Sequence, residues 1–273
     1  MANLKKTIYT LCINNYCPEI TSLTFPLMEA YAKKIGADFF VISKRRFTAM
    51  PVTYEKLQVG DLARETGADW NLFFDADTLI SPEMFDPTDH LSKDTVCHNG
   101  KDFAGIRWAY DNYFRRDGRH IGSCNWCAIA SDWCLDLWHP LEDLSLETAL
   151  ENIHITIAER HSGCCQPEHL IDDYVLSRNI ARYGLKATTL SEICGKLGFR
   201  RPDGTGGNPF MWHQYDISNE QKVRQMKAVL STPNGQPAFA DEGELIHDGF
   251  GNPVMRTKDG RIVGACGLGW GLR

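Results

Sequence analysis

Two carboxylates close an apolar run in Leu72-Phe73-Phe74-Asp75-Ala76-Asp77-Thr78-Leu79-Ile80. Asp75 and Asp77 stand at i and i+2, so on extended backbone they share a face. At the end of a buried strand such charges must stay wet, pair, or hold a cation. Two carboxylate oxygens converging on one point suit a hard divalent ion, Mg²⁺ or Mn²⁺. Such an ion can bridge protein to a diphosphate and neutralise a departing phosphate. The plain alternative is Asp75 as a turn cap and Asp77 as surface charge.

Three further sets of residues could complete such a site. His213 lies between Trp212 and Gln214, in a segment too apolar for a solvated loop. Its imidazole could join a metal shell, or be a core or lid histidine bonded to backbone. Asp172 and Asp173 sit within a strongly helical stretch that begins near Glu168. Adjacent helical residues do not share a face, so only one is expected to enter a cleft, as a general base or an acceptor-orienting group. The alternative there is a solvent-facing pair favoured by the helix dipole. Asn125 could bind sugar hydroxyls and Trp126 could stack on a ring. Arg107, Arg115, Arg116, Arg119 and Lys196 are weaker candidates for phosphate or acceptor contacts.

The surrounding pattern says which elements must position these groups. Residues 6–13 alternate as a strand, residues 21–35 carry helical apolar spacing, and Gly36 suits a helix C-cap. A second strand is expected at 38–43, a helix at 53–66 ended by Gly67, and a third strand at 69–74. This βαβαβ order places Asp75 and Asp77 past the carboxyl ends of parallel strands, where open α/β sheets bind ligands. Short strands are expected at 95–98 and 103–106, and a mobile or ligand-facing aromatic and basic segment at 108–120. A strand follows up to Ala130, then helices at 131–138, 145–160, 168–183 and 218–230, the last capped by Ser218. Hairpin-like pieces span 245–254 and 255–263. The fold class is α/β: a single α/β/α sandwich with a mixed, mainly parallel central sheet. Residues 1–230 read as one catalytic domain, and 231–273 as a glycine-rich extension packed on it.

Composition narrows the partners. The chain has 273 residues, 35 acidic and 29 basic, for a net charge of −6. No basic excess exists for a phosphate-backbone interface, so double-stranded nucleic acid is not expected. No apolar run reaches a membrane span, and the N-terminus lacks a convincing signal peptide. Ten cysteines at irregular spacing, with a single CxxC at Cys124 and Cys127, read mostly as reduced thiols, and a cytoplasmic location is expected. Neither a dinucleotide fingerprint nor a P-loop is present.

The motif and its lead-in resemble a known family. Leu72 to Ile80 is similar to the D-x-D segment of nucleotide-sugar-dependent glycosyltransferases of the GT-A fold. The opening from Tyr9-Thr10-Leu11 to Asp38-Phe39 resembles the start of small bacterial and viral members, and Tyr54-Glu55-Lys56-Leu57 resembles their pre-motif helix. The resemblance covers residues 6–215 and is strongest in the first 80. It implies a Rossmann-like nucleotide-binding half and metal-dependent transfer of a hexose from a UDP-sugar or GDP-sugar to a hydroxyl of a glycan or glycoconjugate. It implies Thr10, Leu11 and Asn14 around base and ribose, and a donor-binding set extended by Asp75, Ala76, Asn125 and Trp126. The metal, Mn²⁺ or Mg²⁺, would take Asp75, Asp77 and His213, and Asp172 or Asp173 would lie by the acceptor. Gly122-Ser123-Cys124-Asn125 departs from the family's common Asn-Ser-Gly order. Two rivals use the same residues differently: a metal-dependent nucleotidyltransferase of sugar phosphates, and a non-catalytic carbohydrate-binding protein. The first loop, Ile13-Asn14-Asn15-Tyr16, lacks the glycine and basic residues that a triphosphate site wants.

Overall fold

The computed structural model describes residues 4–99, 111–117, 126–155, 166–199, 208–214, 217–231, 244–247, 253–256 and 262–264. Strand β1 (Lys6–Leu11) leads into helix α1 (Pro18–Ile35), which starts earlier than its apolar spacing suggests because Pro18 suits a first helical turn. Gly36 ends α1 in the left-handed region, at φ 67°, as its position implies. Strand β2 (Ala37–Ile42) follows. The next helical stretch is divided, with a 3₁₀ segment (Val52–Gln58) before α2 (Val59–Thr66). Strand β3 (Trp70–Phe74) ends at the acidic motif, β4 (Leu79–Ile80) follows it, and β5 is Thr95–His98.

Helix α3 (Asn112–Asp117) and β6 (Cys127–Ser131) come next. The helix expected at 131–138 is a 3₁₀ segment (Asp132–Trp138) kinked at Cys134, with Ser131 capping it as its side chain accepts from Trp133 N. Helix α4 (Leu146–Glu151) covers the first part of the expected 145–160 helix; residues 156–160 lie outside the described residues. Helix α5 (Ile171–Arg182) follows a short 3₁₀ turn (Pro167–Leu170). Strand β7 (Lys186–Thr189), α6 (Leu190–Lys196) and β8 (Met211–Trp212) lie where no element was expected. Helix α7 is Asn219–Ser231, and Ser218 accepts from Gln221 N at 3.3 Å. Strands β9 (Glu244–His247), β10 (Pro253–Arg256) and β11 (Ile262–Gly264) form an antiparallel meander, so the two expected hairpins share β10. The strand expected at 103–106 lies outside the described residues.

The main sheet has the order β2-β1-β3-β6-β5-β7. β1 pairs in parallel with both β2 and β3, and β5 with β7. β6 alone runs against its neighbours β3 and β5. The sheet is therefore mixed and mainly parallel, with helices on both faces. On one face Phe73, Val96, Ala128 and Ala130 pack with Tyr174 and Val175 of α5. On the other, Leu72, Phe74, Cys97 and Ile129 pack with Met28 and Tyr31 of α1 and Ile193 of α6. All five residues of β3 are buried, as expected of a strand covered on both faces.

The basic loop after β2 is held from inside. Glu55 is fully buried and accepts from Arg45 Nε at 2.6 Å, Arg46 N at 2.8 Å, Phe47 N at 3.0 Å and Gln58 Nε2 at 2.7 Å. One carboxylate thus satisfies four donors and fixes the loop beside the carboxyl end of β2. Glu55→Ala leaves those donors without it and is expected to cost about 2 kcal/mol, read as a lower urea midpoint at unchanged m-value.

Among the described residues no helix is long and apolar enough to cross a membrane. Cys12, Cys17, Cys97, Cys127, Cys134 and Cys194 carry free thiols.

Candidate metal centre

Three clamps fix the turn that carries the acidic pair. Asp75 N donates to Trp126 O at 3.1 Å, tying the motif to the start of β6. Thr78 N donates to Asp75 O at 3.0 Å and closes the turn. Thr24 of α1 donates its hydroxyl to Ala76 O at 2.6 Å. The backbone at Asp75-Ala76-Asp77 is therefore held from the sheet, from itself and from the neighbouring helix.

The histidine arrives by a separate route. β4, directly after the motif, pairs antiparallel with β8, with Leu79 opposite Trp212 and Ile80 opposite Met211. Ser81 N donating to Phe210 O at 2.8 Å extends the ladder. This register carries the chain from Trp212 straight to His213 beside the acidic turn. His213 Nε2 lies 3.3 Å from Asp77 Oδ1 and 3.9 Å from Asp75 Oδ2. One ligand atom from each of Asp75, Asp77 and His213 falls within 4.8 Å of the other two. Asp77 is buried, so the surface-charge alternative does not describe it. His213 is buried, and its Nε2 faces both carboxylates. Two carboxylate oxygens and an imidazole nitrogen make a donor set that fits a divalent ion.

Two lysines complete the charge balance. Lys56, 1 % exposed, places Nζ 3.1 Å from Asp75 Oδ1, on Asp172 Oδ2, and 4.9 Å from the Phe73 ring centre. Burial works against the Lys56 charge, but Asp172 and Asp75 outweigh it and raise its pKa. Lys222 of α7 places its ammonium on Asp77 Oδ2. Burial pushes the Asp77 carboxyl up, and Lys222 and His213 override it to hold the group well below the usual carboxylate range. Asp75 goes the other way: burial and the Asp77 charge raise it against the pull of Lys56 and His213. The Tyr16 hydroxyl reaches Asp77 Oδ2 and Asn219 Oδ1, each at 3.4 Å. Lys56, Lys222 and Tyr16 were not expected in the site. Lys56 gave no signal of this in the sequence, because it stands beside Glu55 between Tyr54 and Leu57 and reads as an ordinary helix charge.

Asp172 and Asp173 are both buried, which overturns the solvent-facing alternative, and they take different partners. Every residue of Ile171–Ile180 is buried, so α5 has no wet face at this end. Asp172 gives Oδ2 to Lys56, while its buried Oδ1 has no hydrogen-bond partner. Burial raises its carboxyl to about 6 despite Lys56. Asp173 Oδ1 accepts from Ser177 at 3.4 Å.

The remaining candidates divide. Thr10 is fully buried at the end of β1 with its hydroxyl unpartnered, Leu11 is half-buried, and Asn14 is exposed at φ 54°. Trp126 stacks on His213 at 5.0 Å and 11°, so one indole face serves the histidine and not a sugar. The segment expected to be mobile or ligand-facing is anchored in its described part. Asp111 accepts from Tyr113 N at 2.7 Å, Tyr174 OH at 2.6 Å and Arg178 Nε at 2.9 Å, which docks α3 on α5. Arg116 lies over Tyr113 at 4.4 Å, and Arg115 is exposed. Lys196 is exposed at the end of α6 and makes no ion pair with the acidic cluster. Asn125, Arg107 and Arg119 lie outside the described residues.

No protein-family model matches the chain. No curated protein matches it either. Among solved structures the chain is similar to a glycosyltransferase involved in the glycosylation of the major capsid of PBCV-1, at 13 % identity. That match covers 81 % of this chain and 98 % of the other, with a TM-score of 0.48. A197 from STIV is similar at 11 % identity over 68 % of this chain and 82 % of its own, with a TM-score of 0.34. Likenesses this distant carry no argument about activity, which has to come from the geometry of the site.

Proposed function

We propose that the protein is a metal-dependent glycosyltransferase of GT-A type, using a nucleoside-diphosphate sugar as donor and a hydroxyl of a glycan or glycoconjugate as acceptor. The observation that carries this reading is the convergence of Asp75, Asp77 and His213 past the carboxyl end of β3. In an α/β sheet that edge is the ligand-binding edge. Asp75, Asp77 and His213 would hold the divalent ion, Mn²⁺ or Mg²⁺. When bound, the ion supplies positive charge for the diphosphate leaving group.

The protein's own groups do the rest. In this reading Thr10 and Leu11 at the end of β1 and Asn14 in the loop after it would serve base and ribose, with Asp75, Ala76, Asn125 and Trp126 as the further donor-binding residues. Lys56 holds Asp75 and Asp172 in fixed relation, so the carboxylates of β3 and α5 act as one unit. Asp172 Oδ1, buried and without a partner, accepts from a sugar hydroxyl, which relieves the cost of leaving it unpaired. Asp173, bonded to Ser177, supports that turn from behind. Three carboxylates around two ammonium groups leave a modest negative balance, so a dication there favours an anionic ligand such as a diphosphate. In this reading residues 231–273 form an extension packed on the 1–230 catalytic unit.

The pH dependence follows from Asp172. Its carboxyl titrates near 6, so it is ionised at neutral pH and protonated below. Protonation removes one counter-charge from Lys56 and leaves the sugar a neutral, weaker acceptor. Donor turnover is therefore expected to fall as pH drops through about 6, and Asp172→Asn at pH 7.5 to reproduce the low wild-type rate at pH 5. The effect on stability has the opposite sign. A carboxyl raised in the folded state gains favourable protonation below about 6, so its contribution rises as pH falls.

The test is a screen of UDP-, GDP- and other nucleotide sugars with and without Mn²⁺, reading nucleoside diphosphate release. Release with a particular donor and only with metal supports transfer. Nucleoside triphosphate consumption with sugar phosphate would point to a nucleotidyltransferase, and tight sugar binding without turnover to a binding protein.

A further inference from the structure

Each metal-facing carboxylate is split between a lysine and the histidine. Asp77 gives Oδ2 to Lys222 and turns Oδ1 to His213 Nε2 at 3.3 Å. Asp75 gives Oδ1 to Lys56 at 3.1 Å and turns Oδ2 to His213 Nε2 at 3.9 Å. Lys56 sits in the core beneath the motif. Lys222 comes from α7, far along the chain, and is itself buried. It shares Asp77 Oδ2 with the Tyr16 hydroxyl, which also reaches Asn219 in the first turn of α7. Met226 and Val229 of α7 pack with Ile20, on α1, in one apolar cluster. The ammonium is thus placed by a packed helix and not by a free side chain on the surface.

We infer that Lys222 is a positioning residue of the metal site: it holds Asp77 by its outer oxygen, leaves one oxygen for the ion, and keeps the ion alone weakly bound until an anionic ligand joins it. This rests on the metal reading given above. Two consequences oppose each other. The hydrogen bond fixes Asp77 and favours binding. The positive charge, close to where a dication would sit, repels it. Replacing the charge while keeping the hydrogen bond separates the two.

The experiment is a titration of Mn²⁺ into the apo-protein, reading free Mn²⁺ by electron paramagnetic resonance, with and without UDP. Lys222→Gln keeps a donor near Asp77 and removes the charge. It is expected to tighten binding of Mn²⁺ alone by about tenfold and to shrink the further tightening that UDP gives the wild type. Lys222→Ala loses both effects and is expected to bind Mn²⁺ alone more weakly than Lys222→Gln. Circular dichroism confirms that both variants are folded. Lys222→Gln binding Mn²⁺ no more tightly than the wild type overturns the inference. Asp77→Asn separates the two readings. If it loses Mn²⁺ while Lys222→Gln is unchanged, only the role of Lys222 fails. If it binds as the wild type does, or if no variant binds Mn²⁺, the metal reading fails as well.

Discussion

Asp77→Asn is expected to lower metal-dependent donor turnover by about a thousandfold, the equivalent of about 4 kcal/mol of transition-state stabilisation. The substitution keeps the size and one oxygen of the side chain but removes its charge. Asp77 is the most strongly ionised carboxyl of the cluster, with Lys222 and His213 both favouring its charged form. An amide cannot replace it as an anionic ligand. The loss is expected in turnover at saturating donor and metal and not in donor affinity alone, because the charge matters most as the diphosphate departs. A stability cost accompanies it. A carboxyl held below its ordinary value contributes stability above that ordinary value and loses it as pH falls through the folded value. Asp77→Asn is therefore expected to melt lower than the wild type at pH 7, with the gap narrowing in acid. Assays run well below both melting temperatures separate the two effects. Asp77→Asn turnover within tenfold of the wild type would place the metal elsewhere.

The second large effect lies away from the site. Arg178→Met is expected to destabilise the protein by about 3–5 kcal/mol. Arg178 donates Nε to Asp111 Oδ2 at 2.9 Å and its two terminal nitrogens to Asp143 at 3.0 and 2.9 Å. Arg178 and Asp111 are each about 3 % exposed, so neither can fall back on water. Methionine fills much of the volume but leaves Asp111 buried beside Tyr174 without its counter-charge. Arg178→Met combined with Asp111→Asn is expected to recover part of the loss, because the stranded charge is gone. Arg178 and Arg182 also hold the Asp143 carboxyl below its ordinary value, with the Arg178 hydrogen bond the largest cause. That contribution is present above pH 4 and disappears as pH falls, so Arg178→Met should flatten the acid limb of the stability profile. Urea unfolding across pH 3–7 measures all of this. A loss below 1 kcal/mol would mean that the buried Arg178–Asp111 pair does not hold α3 on α5.

The acidic motif was legible because it ends a run of apolar residues after two βα units. Position and chemistry were visible together there. The burial of β3 and the glycine turns at Gly36 and Gly67 were legible for similar local reasons, since a left-handed φ of 67° or 64° is cheap for glycine. His213 was visible as a polar residue in an apolar stretch. What joins it to the motif was not, because β4 and β8 are two residues each and carry no periodicity. The lysines were hidden for another reason. Lys222 lies in a helix otherwise rich in polar residues and reads as solvent-facing, and its partner Asp77 is 145 positions away. For Asp172 and Asp173 a wet first turn stayed open as the alternative, because helix spacing shows which residues share a face. It does not show that α5 is covered all round. The 3₁₀ segment at Val52–Gln58 was read as helix, and only the folded chain turns Glu55 and Lys56 both inward. β7 and α6 were missed because each is short, at four and seven residues, and carries little periodicity.

The most direct test of the central claim is anomalous diffraction at the manganese edge from crystals grown with Mn²⁺ and UDP. The expected result is one strong peak within coordination distance of Asp75 Oδ2, Asp77 Oδ1 and His213 Nε2, with UDP phosphate oxygens beside it. UDP bound with no manganese peak at those three side chains would contradict it.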